Sequence, residues 1–212
     1  MAHYDLEEQE QIDTLKTWWK MYGNLVTGLV MAGSLAVVGW QGWNWYQGGQ
    51  SAQAAAIYGV LEQAASMGDA QKVKAASGEL VEKFGRTAYA SLGAMVAAKQ
   101  SFDAGDLKTA KTQLAWVAEN GKNEARDLAR LRLAAVQLDE QAYDEALKQL
   151  DAAHAAAFDA RFLELKGDVL TAQGKKAEAR SAYKSALEKL ADKQSASREL
   201  LQQKLDSLGE AA

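Results

Sequence analysis

The chain contains no cysteine and no proline. The first absence excludes a disulfide framework, a thiolate metal site and a cysteine nucleophile. The second, with abundant Ala, Leu, Lys, Gln and Glu, favours helices joined by short turns over sheets. Histidine is scarce: only His3 and His154 occur, and neither has metal-ligand spacing to another ligand. His154 falls in an alanine-rich stretch read as the second helix of a hairpin, at the surface or a groove edge. The segment GDVLTAQGKK at Gly167 is not a phosphate loop, because no Ser or Thr follows its lysines. Acidic pairs such as Asp139 with Glu140 and Asp144 with Glu145 read as solvated helix faces. No catalytic residue, metal ligand or cofactor site is expected, and the chain does not read as an enzyme.

Charge is also unevenly missing. Of the 24 bases and 28 acids, two and five fall within residues 1–50, which leaves 22 and 23 beyond, a net of −1. A nearly neutral body of mixed sign offers no basic face for nucleic acid. Between Lys20 and Glu62 no charged side chain occurs at all. Leu25, Val26, Leu29, Val30, Met31, Leu35, Val37 and Val38 supply the apolar centre of that run. As a helix, the stretch from Leu25 to Tyr46 would span roughly 33 Å, about one hydrocarbon core.

The aromatic residues mark both ends of this run. Trp18, Trp19 and Tyr22 precede it; Trp40, Trp43, Trp45 and Tyr46 close it. Such amphipathic rings settle at headgroup depth and anchor a span at both interfaces. A cleaved signal peptide would account for Ala-Gln-Ala at Ala52–Ala54, but the leader is acidic and the apolar run too long. An uncleaved anchor fits better. Lys16 and Lys20 flank its N-terminal end, while the next base beyond it is Lys72. That asymmetry puts the N-terminus in the cytoplasm and the body outside it, in the periplasm of a Gram-negative cell. Gly28, Ala32 and Ala36 recur every four residues, a small-residue stripe suited to packing against another membrane helix. Upstream, Ile12, Leu15, Trp19 and Tyr22 follow helical spacing, which predicts an amphipathic lead-in helix lying at the membrane surface before the chain turns in. Gly48 and Gly49 predict a flexible exit.

After residue 51 the apolar period is helical, interrupted by MGDAQ at Met67, AGDLK at Ala104, EQAYD at Glu140 and QGKKA at Gln173. Their second residues, Gly68, Gly105, Gln141 and Gly174, lie 37, 36 and 33 apart. That period indicates a helix-hairpin repeat of the tetratricopeptide type. The last unit carries most of the pattern: Gly167 for close helix approach, Gly174 for the turn, then Ala179, Tyr183 and Ala186 on one face. The unit before it echoes this with Ala134, Gln141, Ala146, Leu150 and Ala153, and the one before that with Ala98, Gly105, Ala110, Leu114 and Val117. Lys166 departs from the pattern, standing where a leucine is expected, and the closing proline is missing. Leu201, Leu205 and Leu208 form the stripe of a terminal capping helix, with Arg198, Glu199, Gln202, Gln203 and Lys204 outward. The expected fold is therefore all-α: one N-terminal transmembrane helix, then a tetratricopeptide-like hairpin array with a C-terminal cap. The expected divisions are a cytoplasmic lead-in over 1–22, a transmembrane helix over 23–47, a linker over 48–52 and a periplasmic repeat domain over 53–212.

The lead EEQEQIDTLKTWWKMYGN, followed by one span and a degenerate helical-repeat body, resembles the YfgM-like family of ancillary SecYEG translocon subunits. The resemblance covers essentially the whole chain, and its most specific part is the acidic segment running into LKTWWKMYGN. It implies an inner-membrane protein with a periplasmic repeat domain that associates with the SecYEG translocon. It also implies the membrane-anchored periplasmic chaperone PpiD as a partner, and contact with translocating polypeptides and soluble periplasmic chaperones. The residues themselves reach only a membrane-anchored helical scaffold. They leave open an envelope-biogenesis scaffold unconnected with the translocon, and a regulator acting through its acidic cytoplasmic tail.

Overall fold

The computed structural model describes residues 6–190 and 196–209; His3, Asp5 and Ser195 fall outside them. Within the described residues lie α1 (Leu6–Ser66), α2 (Ala70–Phe84), α3 (Ala88–Asp103), α4 (Leu107–Asn120), α5 (Asn123–Asp139), α6 (Tyr143–Leu150), α7 (Asp159–Ala172), α8 (Lys176–Lys189) and α9 (Ala196–Ser207). A single 3-10 turn, Ala156–Phe158, leads into α7. The chain divides between Gln50 and Ser51 into two compact units.

The first unit is helical from Leu6 onward, and here the structure differs from two expectations. No turn separates the lead-in from the apolar run, and no flexible exit occurs at Gly48 and Gly49, because α1 continues through both. The reason is local. No proline interrupts the stretch, and the Thr14, Thr17 and Ser34 hydroxyls donate back to carbonyls four residues earlier at 2.8 Å instead of capping a new helix. Two glycines cost about 1 kcal/mol each against alanine, and the alanine-rich 52–56 that follows is strongly helix-forming.

The second unit is a series of hairpins built on one repeated turn. Gly68, Gly105, Gln141 and Gly174 all take left-handed backbone, with φ of 72°, 78°, 62° and 75°. In each turn the next amide reaches the carbonyl five residues back: Asp69 to Ala64, Asp106 to Ser101, Ala142 to Gln137 and Lys175 to Leu170, at 2.8–2.9 Å. This is the Schellman closure of a helix C-terminus, for which glycine is favoured because it has no Cβ to clash. Asp69 and Asp106 then cap the following helix, each accepting from a backbone amide at 3.0 Å. Among these four turns Gln141 is the one non-glycine residue. Replacing Gln141 by Gly is expected to stabilise the body by about 1 kcal/mol, and Gly174→Ala to destabilise it by a similar amount. Urea midpoints of the two variants against the parent check both signs.

Hairpins close because volume is traded between their helices. Seven residues before each turn residue stand Leu61, Ala98, Ala134 and Gly167; nine residues after it stand Ser77, Leu114, Leu150 and Tyr183. Where the first is larger the second is smaller. At the extreme, a Cβ placed on Gly167 would lie 2.3 Å from the Tyr183 ring, so only glycine fits there. Ala110, Ala146 and Ala179 are fully buried at the same point of successive second helices. Ala186 is buried one turn beyond Tyr183.

The cap is present: Leu201, Leu205 and Leu208 of and beside α9 pack with Leu170, Ala179, Ala182, Tyr183 and Ala186. Glu199, Gln202 and Gln203 face out. Arg198 and Lys204 do not follow the outward expectation. Arg198 donates to the Leu187 carbonyl at 3.1 Å. Lys204 lies half-buried between Glu164 (2.9 Å) and Asp168 (2.8 Å) of α7. Charges on the first helix of the last hairpin pull a lysine inward that a wheel drawn on α9 alone turns outward.

Tyr183 completes this clasp, donating to Asp168 at 2.7 Å. Burial pushes its phenol up to about 12, with the Asp168 carboxylate adding to that and the Thr171 hydroxyl opposing it. Burial works against the charge on Lys204, but its two carboxylate partners outweigh this and raise its pKa. Both groups therefore hold their protons more tightly folded than unfolded. Their stabilisation is complete below the ordinary tyrosine value of 10.0 and drains away as pH rises toward about 12. Unfolding midpoints are expected to be flat across neutral pH and to fall in this alkaline window, with Tyr183→Phe removing part of the slope.

Candidate functional site

Trp18, Trp19 and Tyr22 form one tilted cluster, with ring centroids 5.9–6.2 Å apart. Trp43 and Tyr46 lie 6.3 Å apart further along α1, and Trp40 and Trp45 are exposed beside them. Between Trp19 and Trp43 the helix rises roughly 36 Å, close to a hydrocarbon core with its interfaces. Only 6% of the apolar window of α1 is buried, so this is not a core helix. Leu25, Leu29, Met31, Leu35 and Val38 are all exposed, at 62–68%. Gly28, Ala32 and Ala36 lie along an exposed face of α1, and a Cβ on Gly28 would meet nothing within 4 Å.

The residues of the repeat pattern do not converge on an open site. Gly105 and Gly174 make turns, while Ala110, Ala146, Gly167, Ala179, Tyr183 and Ala186 are spent on packing. Lys166, the departure from the leucine position, is half-buried and bonds Asp151 at 2.6 Å. In the two preceding hairpins the same place holds buried Ala97 and Leu133.

The polar centre of the body was not anticipated. Asp127 of α5 is completely buried. It accepts the Ala155 amide at 2.9 Å and lies 3.3 Å from Arg126 and 3.9 Å from Arg130. Arg130 donates to the Ala153 carbonyl at 2.6 Å. Together they hold residues 151–155 as a loop, so α6 stops at Leu150 and the expected helical places of Ala153 and His154 are not realised. His154 instead stacks on Phe162 at 3.8 Å, bonds the Ala152 carbonyl at 2.8 Å and faces Asp159 at 3.3 Å. Asp159 in turn takes Lys189 at 3.0 Å; that lysine's hydrogen bond and then its charge hold the carboxyl below the usual range against the opposing effect of burial. A signal was available. Asp127 stands seven residues before Ala134, where the other hairpins carry Ala54, Ser91 and Ala160. A carboxylate in a series of small residues marks a special role for that position.

One cleft opens between first helices. Met95 and Phe102 of α3, Leu114 of α4 and Val136 of α5 line an apolar hollow of about 320 Å³, with Lys99 and Arg132 among its polar lining. Lys99 is paired with Asp103, whereas Arg132 makes no ion pair among the described residues. Exposed Leu92 and Leu128 occupy matching places on α3 and α5, thirteen residues before their turns. The cleft is apolar at its floor and carries its charged groups among its lining.

An exposed apolar helix joined to a hairpin array defines a membrane-associated helical-repeat protein. A family model described as a tetratricopeptide repeat-like domain matches residues 16–210. An ancillary SecYEG translocon subunit of Neisseria gonorrhoeae is 36% identical over 96% of this chain and 98% of its own length. Proteins of the same name from Haemophilus influenzae and Escherichia coli are 32% and 29% identical over 86% and 95% of this chain and 90% and 96% of their own. The chain belongs to this tetratricopeptide repeat-like family.

Proposed function

We propose that the protein is a membrane-anchored adaptor associated with the SecYEG translocon, helping to pass translocated chains to periplasmic chaperones. The observation that carries the reading is alignment over nearly the whole length of relatives that bear that name. In this reading residues 1–22 are the cytoplasmic lead-in, 23–47 cross the inner membrane, 48–52 connect, and 53–212 are periplasmic. Lys16 and Lys20, with no base beyond the span before Lys72, support that orientation. Trp18, Trp19, Tyr22, Trp40, Trp43, Trp45 and Tyr46 seat the span at its two interfaces. Gly28, Ala32 and Ala36 face a partner's membrane helix, and PpiD, itself anchored, is the chaperone the family resemblance brings in.

The physics of the task is modest. An anchor confines the hairpin array near the membrane and raises its effective concentration for whatever emerges there. Stacked hairpins expose a long surface suited to an extended chain. Handover then runs on binding equilibria.

Photocrosslinking in cells tests this, with one probe at Trp43 and another at Lys99, whose side chain is 70% exposed. Translocon subunits are expected at the first, and secreted chains or chaperones at the second. Cell-wall or outer-membrane machinery at both, without the translocon, would overturn the reading. Replacing Gly28, Ala32 and Ala36 together by leucine is expected to lower recovery of the translocon from mild detergent several-fold; undiminished recovery would rule out pairing through this stripe.

A further inference from the structure

The hairpins repeat, so each junction between successive first helices serves as a control for the others. At the junction of α5 with α7, Leu138 and Leu165 pack into the core built around Leu131, Ala134, Leu150 and Val169. At the junction of α1 with α3, Tyr58, Ala65 and Val96 pack into the core around Leu61 and Leu80. The junction of α3 with α5 breaks this series. Arg132 lies two residues before Ala134, where the flanking hairpins have Val96 and Leu165. Lys99 lies one residue after Ala98, where the preceding hairpin has exposed Glu62 and the next has Ala135, so Arg132 is the departure peculiar to this junction. A charged head at either place turns to water, so neither side chain fills the space between the helices. What remains is the hollow over Met95, Leu114 and Val136, with Phe102 still 42% exposed along it.

We propose that this α3–α5 cleft is a subsite for one large apolar side chain of an extended partner polypeptide, with Arg132 taking a carboxylate next to that side chain. Its volume of about 320 Å³ lies at the small end of ligand sites, roughly 300–1,000 Å³, which suits a side chain. The rim fixes the sign. Asp103 neutralises Lys99, leaving Arg132 as the surplus charge, and a guanidinium fork matches a carboxylate in two parallel bonds. Exposed Leu92 and Leu128 continue the apolar track along the same two helices for neighbouring residues of the chain. The inference rests on the adaptor reading only for where such chains come from.

The test uses the full chain in mild detergent and fluorescein-labelled Gly-Ser-Phe-Asp-Ser-Gly, followed by anisotropy. Replacing the peptide's Phe with Ala is expected to weaken binding at least about 10-fold, the loss of a buried aromatic. Replacing its Asp with Lys is expected to weaken it about 5-fold, as for a partly exposed ion pair. Arg132→Glu should invert the preference, which a merely structural arginine would not do. Arg132→Leu, restoring the residue of the flanking hairpin, should close the cleft and abolish selection between peptides while circular dichroism stays unchanged. Equal binding of all three peptides, or an Asp preference that survives Arg132→Glu, would overturn the proposal. Translocon recovery is measured alongside: its absence from parent and variant alike defeats the adaptor reading and leaves the peptide result standing.

Discussion

Asp127→Ala is expected to destabilise the helical body by about 3–5 kcal/mol, the effect of breaking a buried charge pair from one side. The carboxylate is fully buried, and its loss leaves the Ala155 amide without an acceptor and Arg130 facing an uncharged wall. The damage is not confined to one helix, because the loop over 151–155 carries His154 onto Phe162 and joins α6 to α7. Asp127→Asn keeps an acceptor for Ala155 and gives up only the charge, so it is expected to cost about half as much. Urea unfolding of the full chain in mild detergent gives both values. Hydrogen exchange locates them: the Ala155 amide and those of α7 should lose protection first in Asp127→Ala. A loss below about 1 kcal/mol, the worth of an ordinary surface pair, would mean that water replaces the carboxylate without strain.

Gly167→Ala is expected to be nearly as costly, about 2–3 kcal/mol, because one added methyl overpacks a filled core. The Cβ would stand 2.3–2.9 Å from three atoms of the Tyr183 ring, and that ring is held at its far end by Asp168. The neighbouring hairpins supply the rescue. They place alanine opposite leucine, Ala98 with Leu114 and Ala134 with Leu150, in shared cores. The double variant Gly167→Ala with Tyr183→Leu is therefore expected to recover most of the loss, an interaction energy of at least about 1 kcal/mol in the cycle. Additive single effects would show that Gly167 is required for its backbone alone.

The sequence by itself determined the class of structure and its periodicity. Helix was legible from the absence of proline and the apolar spacing. The four turns were legible because a left-handed helix terminus demands glycine or tolerates little else, so Gly68, Gly105 and Gly174 announce themselves and their spacing reveals Gln141. The long exposed apolar stretch of α1 was legible because hydrocarbon excludes charge, and the run from Leu25 to Tyr46 carries none. The cap was legible from the leucines of α9.

Tertiary structure alone decided the polar interior and the cleft. Whether a charged residue faces water depends on what the next element brings to it, and local spacing carries no record of that. Lys204 turns inward because α7 presents Glu164 and Asp168. Asp127 is buried because a loop twenty-eight residues later offers it an amide. Arg132 opens a cleft because its neighbours in the array, Val96 and Leu165, fill theirs. The flexible exit at Gly48 and Gly49 failed for the opposite reason. A glycine only permits a break, and where helix-forming sequence continues on both sides, the backbone hydrogen bonds on either side keep the helix running.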